Sequence, residues 1–167
     1  MWFLSKNGRT KVAECGAKNE PKEPKKRSNT MKDKRFIEDS FPVKEVSEIS
    51  AKEKNIRHGH ISTLHIWWTR KPLGASRATS YAALISAPET PEEWEKKRQF
   101  IIELSKWENS LNSHIIEKAR RNILEASGGK PPRVLDPFSG GGSIPLEALR
   151  LGCEVTQLNT TLLQHLF

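Results

Sequence analysis

Residues 134–152 read VLDPFSGGGSIPLEALRLG. Apolar Val134 and Leu135 lead to an acid, then to three consecutive glycines, and a helical pattern follows at once. The stretch predicts a short buried strand over 133–136, a turn over 137–143 and a helix over 144–151 with Gly152 as its C-cap. A second strand over 153–156 follows. Two such strands joined by a helix lie parallel through a right-handed crossover. The fold class is therefore α/β. One β-α-β unit cannot bury both faces of its sheet, so a parallel sheet built from it calls for more strands and helices.

In an open parallel sheet, ligands bind outside the carboxyl ends of the strands. The turn over 139–143 sits at such an end. Gly140, Gly141 and Gly142 lack Cβ atoms, so a ligand can approach the backbone closely. The next helix offers free N–H groups and a partial positive charge. Asp136 adds a carboxylate to the same space. A phosphate loop needs a Lys after its glycines, and none stands here. A dinucleotide fingerprint needs a third glycine where this chain has Pro145. S-adenosylmethionine remains: its ammonium and sulfonium suit an acidic neighbour, and it has no phosphate that would require a Lys. The alternative is an ordinary tight turn between strand and helix, since glycine turns are common.

Working outward, the upstream half reads as helices. Pro42 begins an amphipathic stretch with Val43, Val46 and Ile49 spaced by three. Pro72 opens a small-residue helix, PLGASRATSYAALI, closed before Pro88. Thr90-Pro91-Glu92-Glu93 reads as an N-cap, a first-turn proline and an acidic first turn. The helix behind it carries a stripe of Phe100, Leu104, Trp107 and Leu111. Ile116, Ala119 and Ile123 mark a further helix that ends at Gly128-Gly129. There is no internal repeat.

The chain has 167 residues and a net charge of +8, with 35% hydrophobic residues. The charge is uneven. Residues 1–35 hold 11 Lys/Arg and 4 Asp/Glu, or +7, which leaves +1 for the other 132 residues. The basic excess belongs to a tail expected to be disordered and solvated, although such a tail can also bind nucleic acid through phosphates. Met31 stands where the pattern becomes ordered and is a candidate start of the functional protein. Cys15 and Cys153 form no disulfide framework, which fits a reducing, cytoplasmic setting. No apolar run reaches the roughly 20 residues of a membrane span. His58, His60 and His65 fall close together, but no Cys or acidic residue clusters with them, so no metal site is expected. Trp67-Trp68 suits a core plug better than a platform for a flipped base.

Asp136-Pro137-Phe138-Ser139-Gly140-Gly141-Gly142, with Glu147-Ala148 on the next helix, resembles the cofactor motif of DNA amino-methyltransferases, D-P-F-x-G-x-G. Thr69-Arg70-Lys71-Pro72-Leu73 resembles the T-Q-K-P-L that precedes that motif in one branch, with Arg70 in place of Gln. From Arg35 to Gly152 the chain is similar to the front part of the adenine-specific DNA methylases that contain a zinc ribbon, whose N-terminal domain has no assigned function. Behind the tail over 1–35, which its composition marks as disordered, the resemblance implies a mainly helical domain over 36–130, and over 131–157 the first β-α-β unit of a Rossmann-like methyltransferase sheet, left incomplete. It implies S-adenosylmethionine as cofactor, held by Asp136, Pro137, Phe138, Ser139, Gly140, Gly142, Lys71 and Pro72. It implies DNA as the partner, methylated at the exocyclic amine of adenine in restriction-modification or phage defence.

Two departures qualify the likeness. The catalytic [D/N/S]-P-P-[Y/F/W] motif is absent, and the sole Pro-Pro, Pro131-Pro132, has no aromatic after it. Gln157 stands where an acid would bind the ribose hydroxyls. The last residues, 158–167, read as an aberrant apolar tail. These features predict an N-terminal fragment, inactive alone, from a prematurely ended reading frame. The rivals are a binding subunit whose partner chain completes the sheet, and a fragment of an RNA or small-molecule methyltransferase.

Overall fold

The helix ends show first how local sequence sets the architecture. The Thr90 hydroxyl accepts the Glu93 N–H at 3.2 Å, and Pro91 follows at the position where a missing N–H costs nothing. The helix thus started, α4, runs Pro91–Ser105. The Asn112 side chain accepts the His114 N–H at 3.1 Å and starts α5, Ser113–Ala126. At the far end of α5 the chain turns through Gly128 and Gly129, both left-handed, and the Gly129 N–H returns to the Leu124 carbonyl at 2.8 Å. The remaining helices are α1 (Phe36–Asp39), α2 (Val43–Lys54), α3 (Leu73–Leu84) and α6 (Ser143–Arg150). A 3-10 turn covers Glu108–Leu111, and the strands are β1 (Arg133–Asp136) and β2 (Glu154–Gln157).

This computed structural model describes residues 34–56 and 70–158. Among them the fold is mixed α/β and mostly helical, with six α-helices and one two-stranded parallel sheet. The pairing runs Arg133 to Glu154 through Asp136 to Gln157. The expected tail over 1–35 lies outside the described residues as far as position 33, and Lys34 and Arg35 depart from it: Arg35 bridges Ser86 and the Lys34 carbonyl accepts the Ala87 N–H at 2.8 Å. Met31, the three histidines at 58, 60 and 65, Trp67-Trp68 and the segment over 159–167 lie outside the described residues.

Helix α3 is the centre. Its Ala78, Tyr81 and Ala82 meet Phe36 and Val46 on one side, and Phe100, Ile101 and Leu104 of α4. The same core takes Ile116, Ala119 and Ile123 from α5, and Ala148, Leu151 and Cys153 from the β-α-β unit. Helical layer and sheet therefore share one core. Small residues in α3 allow the close approach: a Cβ at Gly74 would collide with the Ser105 carbonyl oxygen. The free end of α3 is satisfied from α2. Buried Glu53 accepts the N–H groups of Leu73 and Gly74 at 2.6 and 2.9 Å, so a full charge takes up two of the orphaned donors of the first turn.

Three sequence expectations are corrected. First, β1 is half-buried rather than buried: Val134 and Val155 pack on the core, while alternation turns Leu135 to the other face, where it is 63% exposed. Second, β2 begins at Glu154, one residue later than expected, because the Cys153 N–H is still bonded back to the Ala148 carbonyl of α6. Third, Trp107 and Leu111 do not extend the α4 stripe. The Ser105 hydroxyl donates to the Ile102 carbonyl at 2.7 Å, a local bond that competes with the helix ladder, and Lys106 is extended. Leu111 ends up 90% exposed.

Among the described residues no helix is long and apolar enough to cross a membrane, and no cluster of His, Cys, Asp or Glu could hold a metal ion.

Candidate ligand site at the glycine turn

The turn after β1 is tied at each step. Asp136 Oδ1 accepts the Phe138 N–H at 3.0 Å, the turn that a short acidic side chain makes with its own downstream backbone. Ser139 donates its N–H and its hydroxyl to the Leu158 carbonyl, at 3.3 and 3.2 Å. The Leu158 N–H returns to the Asp136 carbonyl at 3.0 Å, so the loop is pinned across the ends of both strands. The Gly142 N–H reaches the Ser139 carbonyl at 2.8 Å. Gly140 and Gly142 are left-handed, at φ 51° and 74°, which L-residues with a Cβ avoid.

Gly142 is the N-cap of α6 and has no side chain to close that helix end. The first helical residues are Ser143 and Ile144, and their N–H groups have no partner among the described residues. The third is Pro145, which has no N–H at all. The open end of α6 therefore presents two backbone donors.

Helix α3 brings the second element. Lys71 stands just before it, and the Ser143 hydroxyl donates to the Lys71 carbonyl at 3.0 Å. Helices α3 and α6 thus begin at the same place. Lys71, Asp136, Phe138, Ser139, Gly140, Gly141, Ser143 and Ile144 line a cleft of about 260 Å³ there. A basic residue, an acidic residue and two free N–H groups meet in one small space, and Phe138 stands at its edge, 80% exposed. A ligand that bears both signs of charge fits such a lining.

Of the residues singled out from sequence, Lys71, Asp136, Phe138, Ser139 and Gly140 meet in this cleft. Pro137, Gly142 and Pro72 do not line it. They shape it instead: Gly142 sets the start of α6 and Pro72 is the N-cap of α3. Sequence reasoning missed Ser143 and Ile144 as lining residues. The signal was present, since they are the first non-glycine residues after the turn.

It also missed what lies beneath. Arg77 and Glu147, both 0% exposed, form an ion pair at 3.4 Å between α3 and α6. Arg150 donates to the other Glu147 oxygen at 2.9 Å and also to the Ser110 carbonyl. Burial pushes the Glu147 carboxyl above its ordinary range, opposed by the Arg77 and Arg150 charges. Burial likewise lowers Arg77, and Glu147 opposes it.

Residues 40–110 match the model of a family described as a protein of unknown function, DUF1156. The match spans α2, α3, α4 and Lys71, and stops before the glycine turn. No curated protein and no solved structure matches the chain.

Proposed function

We propose that the cleft binds the amino-acid end of S-adenosylmethionine, and that this chain supplies the cofactor-binding part of a methyltransferase acting on the exocyclic amine of adenine in DNA. The observation that carries this reading is the meeting of Lys71 with Asp136 and the glycine turn in one cleft, because the two sequence motifs that resemble the DNA amino-methyltransferases lie far apart in the chain. In this reading the β-α-β unit opens a Rossmann-like sheet, and the ligand lies beyond the carboxyl end of β1.

The chemistry of the lining supports it. Asp136 uses one carboxylate oxygen to fix the turn and keeps the other for an ammonium or sulfonium. The Ser143 and Ile144 N–H groups and the Lys71 ammonium suit a carboxylate. A cleft of about 260 Å³ is at or below the small end of the roughly 300–1,000 Å³ usual for whole ligands, which suits one end of the cofactor. Gln157 pairs with Asp136 at the end of β2. An amide there makes weaker bonds to a ribose than a carboxylate would, so modest affinity is expected. When bound, the sulfonium supplies the transferable methyl group. The residues that would receive a flipped adenine are not in this sequence, so the chain alone binds and does not transfer.

Titration calorimetry tests the reading. Micromolar to submillimolar binding of S-adenosylmethionine is expected, at least tenfold weaker in Asp136→Ala, with no binding of ATP. A folded chain that gives no signal with S-adenosylmethionine overturns it. Methyl transfer to RNA and not to DNA, in an assembly with a chain bearing the Pro-Pro-aromatic motif, would reassign the acceptor.

A further inference from the structure

We propose that the buried Arg77–Glu147 pair is a positioning device: it sets the register of α3 against α6 and so holds Lys71 against the glycine turn, without touching the ligand. The placement comes first. Arg77 is one helical turn past Leu73 at the start of α3, and Glu147 is one turn past Ser143 at the start of α6. The pair therefore lies one turn, roughly 5 Å, beneath the Ser143–Lys71 bond at the rim of the cleft. Two rungs, one at the rim and one in the dry interior, fix the relative height of the two helices.

A stabilising role does not account for the pair. Ionic groups lose their water on burial, and a packed apolar pair of similar volume is often as stable or more so. Beyond the single ion pair, the Arg77 nitrogens and Glu147 Oε2 have no hydrogen-bond partner among the described residues. What the charges add is direction. Apolar side chains tolerate a slide of one helix along another, whereas opposite charges in a dry interior do not. Glu147 is also gripped from the far side by Arg150, which reaches on to the Ser110 carbonyl. Helix α6 has only eight residues, and its first turn carries the two free N–H groups, so a shift in its height moves the donors directly.

The test uses the double variant Arg77→Met/Glu147→Leu, which keeps the volume and removes both charges. It is expected to fold with unchanged amide exchange in α4 and α5. The bonded amides of Gly142 and Leu146, which donate to the Ser139 and Gly142 carbonyls, are expected to exchange at least tenfold faster than in the wild type, and S-adenosylmethionine affinity to fall at least tenfold. Exchange of these two amides within twofold of the wild type overturns the proposal, whether or not the nucleoside binds. The affinity arm alone rests on the ligand reading above: faster exchange in the variant, with no nucleoside binding to the wild type, would sink that reading and leave the positioning role standing. Should the double variant not fold, Arg77→Lys and Arg77→Gln give the second comparison. Turn protection within threefold of the wild type is expected for Lys and at least a tenfold loss for Gln. Equal protection in the two overturns the proposal.

Discussion

The hydroxyl of Ser143 donates to the backbone carbonyl of Lys71 at 3.0 Å, across 72 residues of sequence. This bond joins the two segments that line the cleft, one on each helix. Ser143→Ala removes it and leaves the Lys71 carbonyl one partner short. A loss of about 1 kcal/mol in stability is expected in urea titration. S-adenosylmethionine affinity should fall about fivefold, close to the same energy. Unchanged affinity would show that Lys71 reaches the cleft without the tie.

Gly142 separates backbone strain from crowding. A Cβ there would meet nothing within 4 Å, yet the residue sits at φ 74°. Gly142→Ala should cost about 1–2 kcal/mol from the left-handed conformation alone. Gly142→Asn should cost clearly less, because Asn visits that region more readily. Equal losses in the two variants, measured by chemical denaturation, would contradict this account.

Gly74 is the opposite case. Inside an exposed helix, replacing Gly with Ala gains about 1 kcal/mol. Here the added methyl would collide with the Ser105 carbonyl and stand 3.0 Å from Glu53 Oε2. Gly74→Ala should therefore destabilise by about 1–3 kcal/mol, as overpacking does. The sign of the change decides the matter, and a thermal melt reads it.

Tyr81 is the sole tyrosine of the chain, and it is 1% exposed. Burial pushes its phenol from near 10 up to about 12, outweighing the hydrogen bond from Asn122, and the Glu125 charge adds to the rise. The folded state thus holds this proton more tightly than the unfolded chain. Its contribution to stability is complete below pH 10 and is lost as the pH rises towards about 12, by up to roughly 3 kcal/mol. Ultraviolet titration should show tyrosinate appearing only with unfolding, and near pH 10 in denaturant.

Local chemistry made much of the fold legible in the sequence. Thr90-Pro91 starts α4 and Gly128-Gly129 closes the chain after α5, because caps and glycines act within a few residues. Ile116, Ala119 and Ile123 are buried together as their spacing requires. What failed was decided at longer range. The Ser105 hydroxyl that bonds back to Ile102 is a weak stop signal that many helices carry, and the contact of the Ser105 carbonyl with Gly74 of another helix is not written near Lys106. The exposure of Leu135 follows from which face of the sheet α6 covers, which a four-residue strand with adjacent apolar residues on opposite faces does not encode. At the site, Asp136 and the glycines were readable because the turn demands those residues. Arg77 looked like any charge on a small-residue helix. Its partner is 70 positions away, and no periodicity links a cation to an acid over that span.

Pro145, third in α6, has a consequence for selectivity. A helix start with three open amides can cradle a tetrahedral anion, giving each of three oxygens a donor. With the proline in place only two amides remain, side by side. A planar group with two oxygens is fully matched there, whereas a phosphoryl group would leave an oxygen bare. On the ligand reading proposed above, Pro145→Ala would restore the missing amide and should reduce the preference of that helix end for a carboxylate over a phosphate ester.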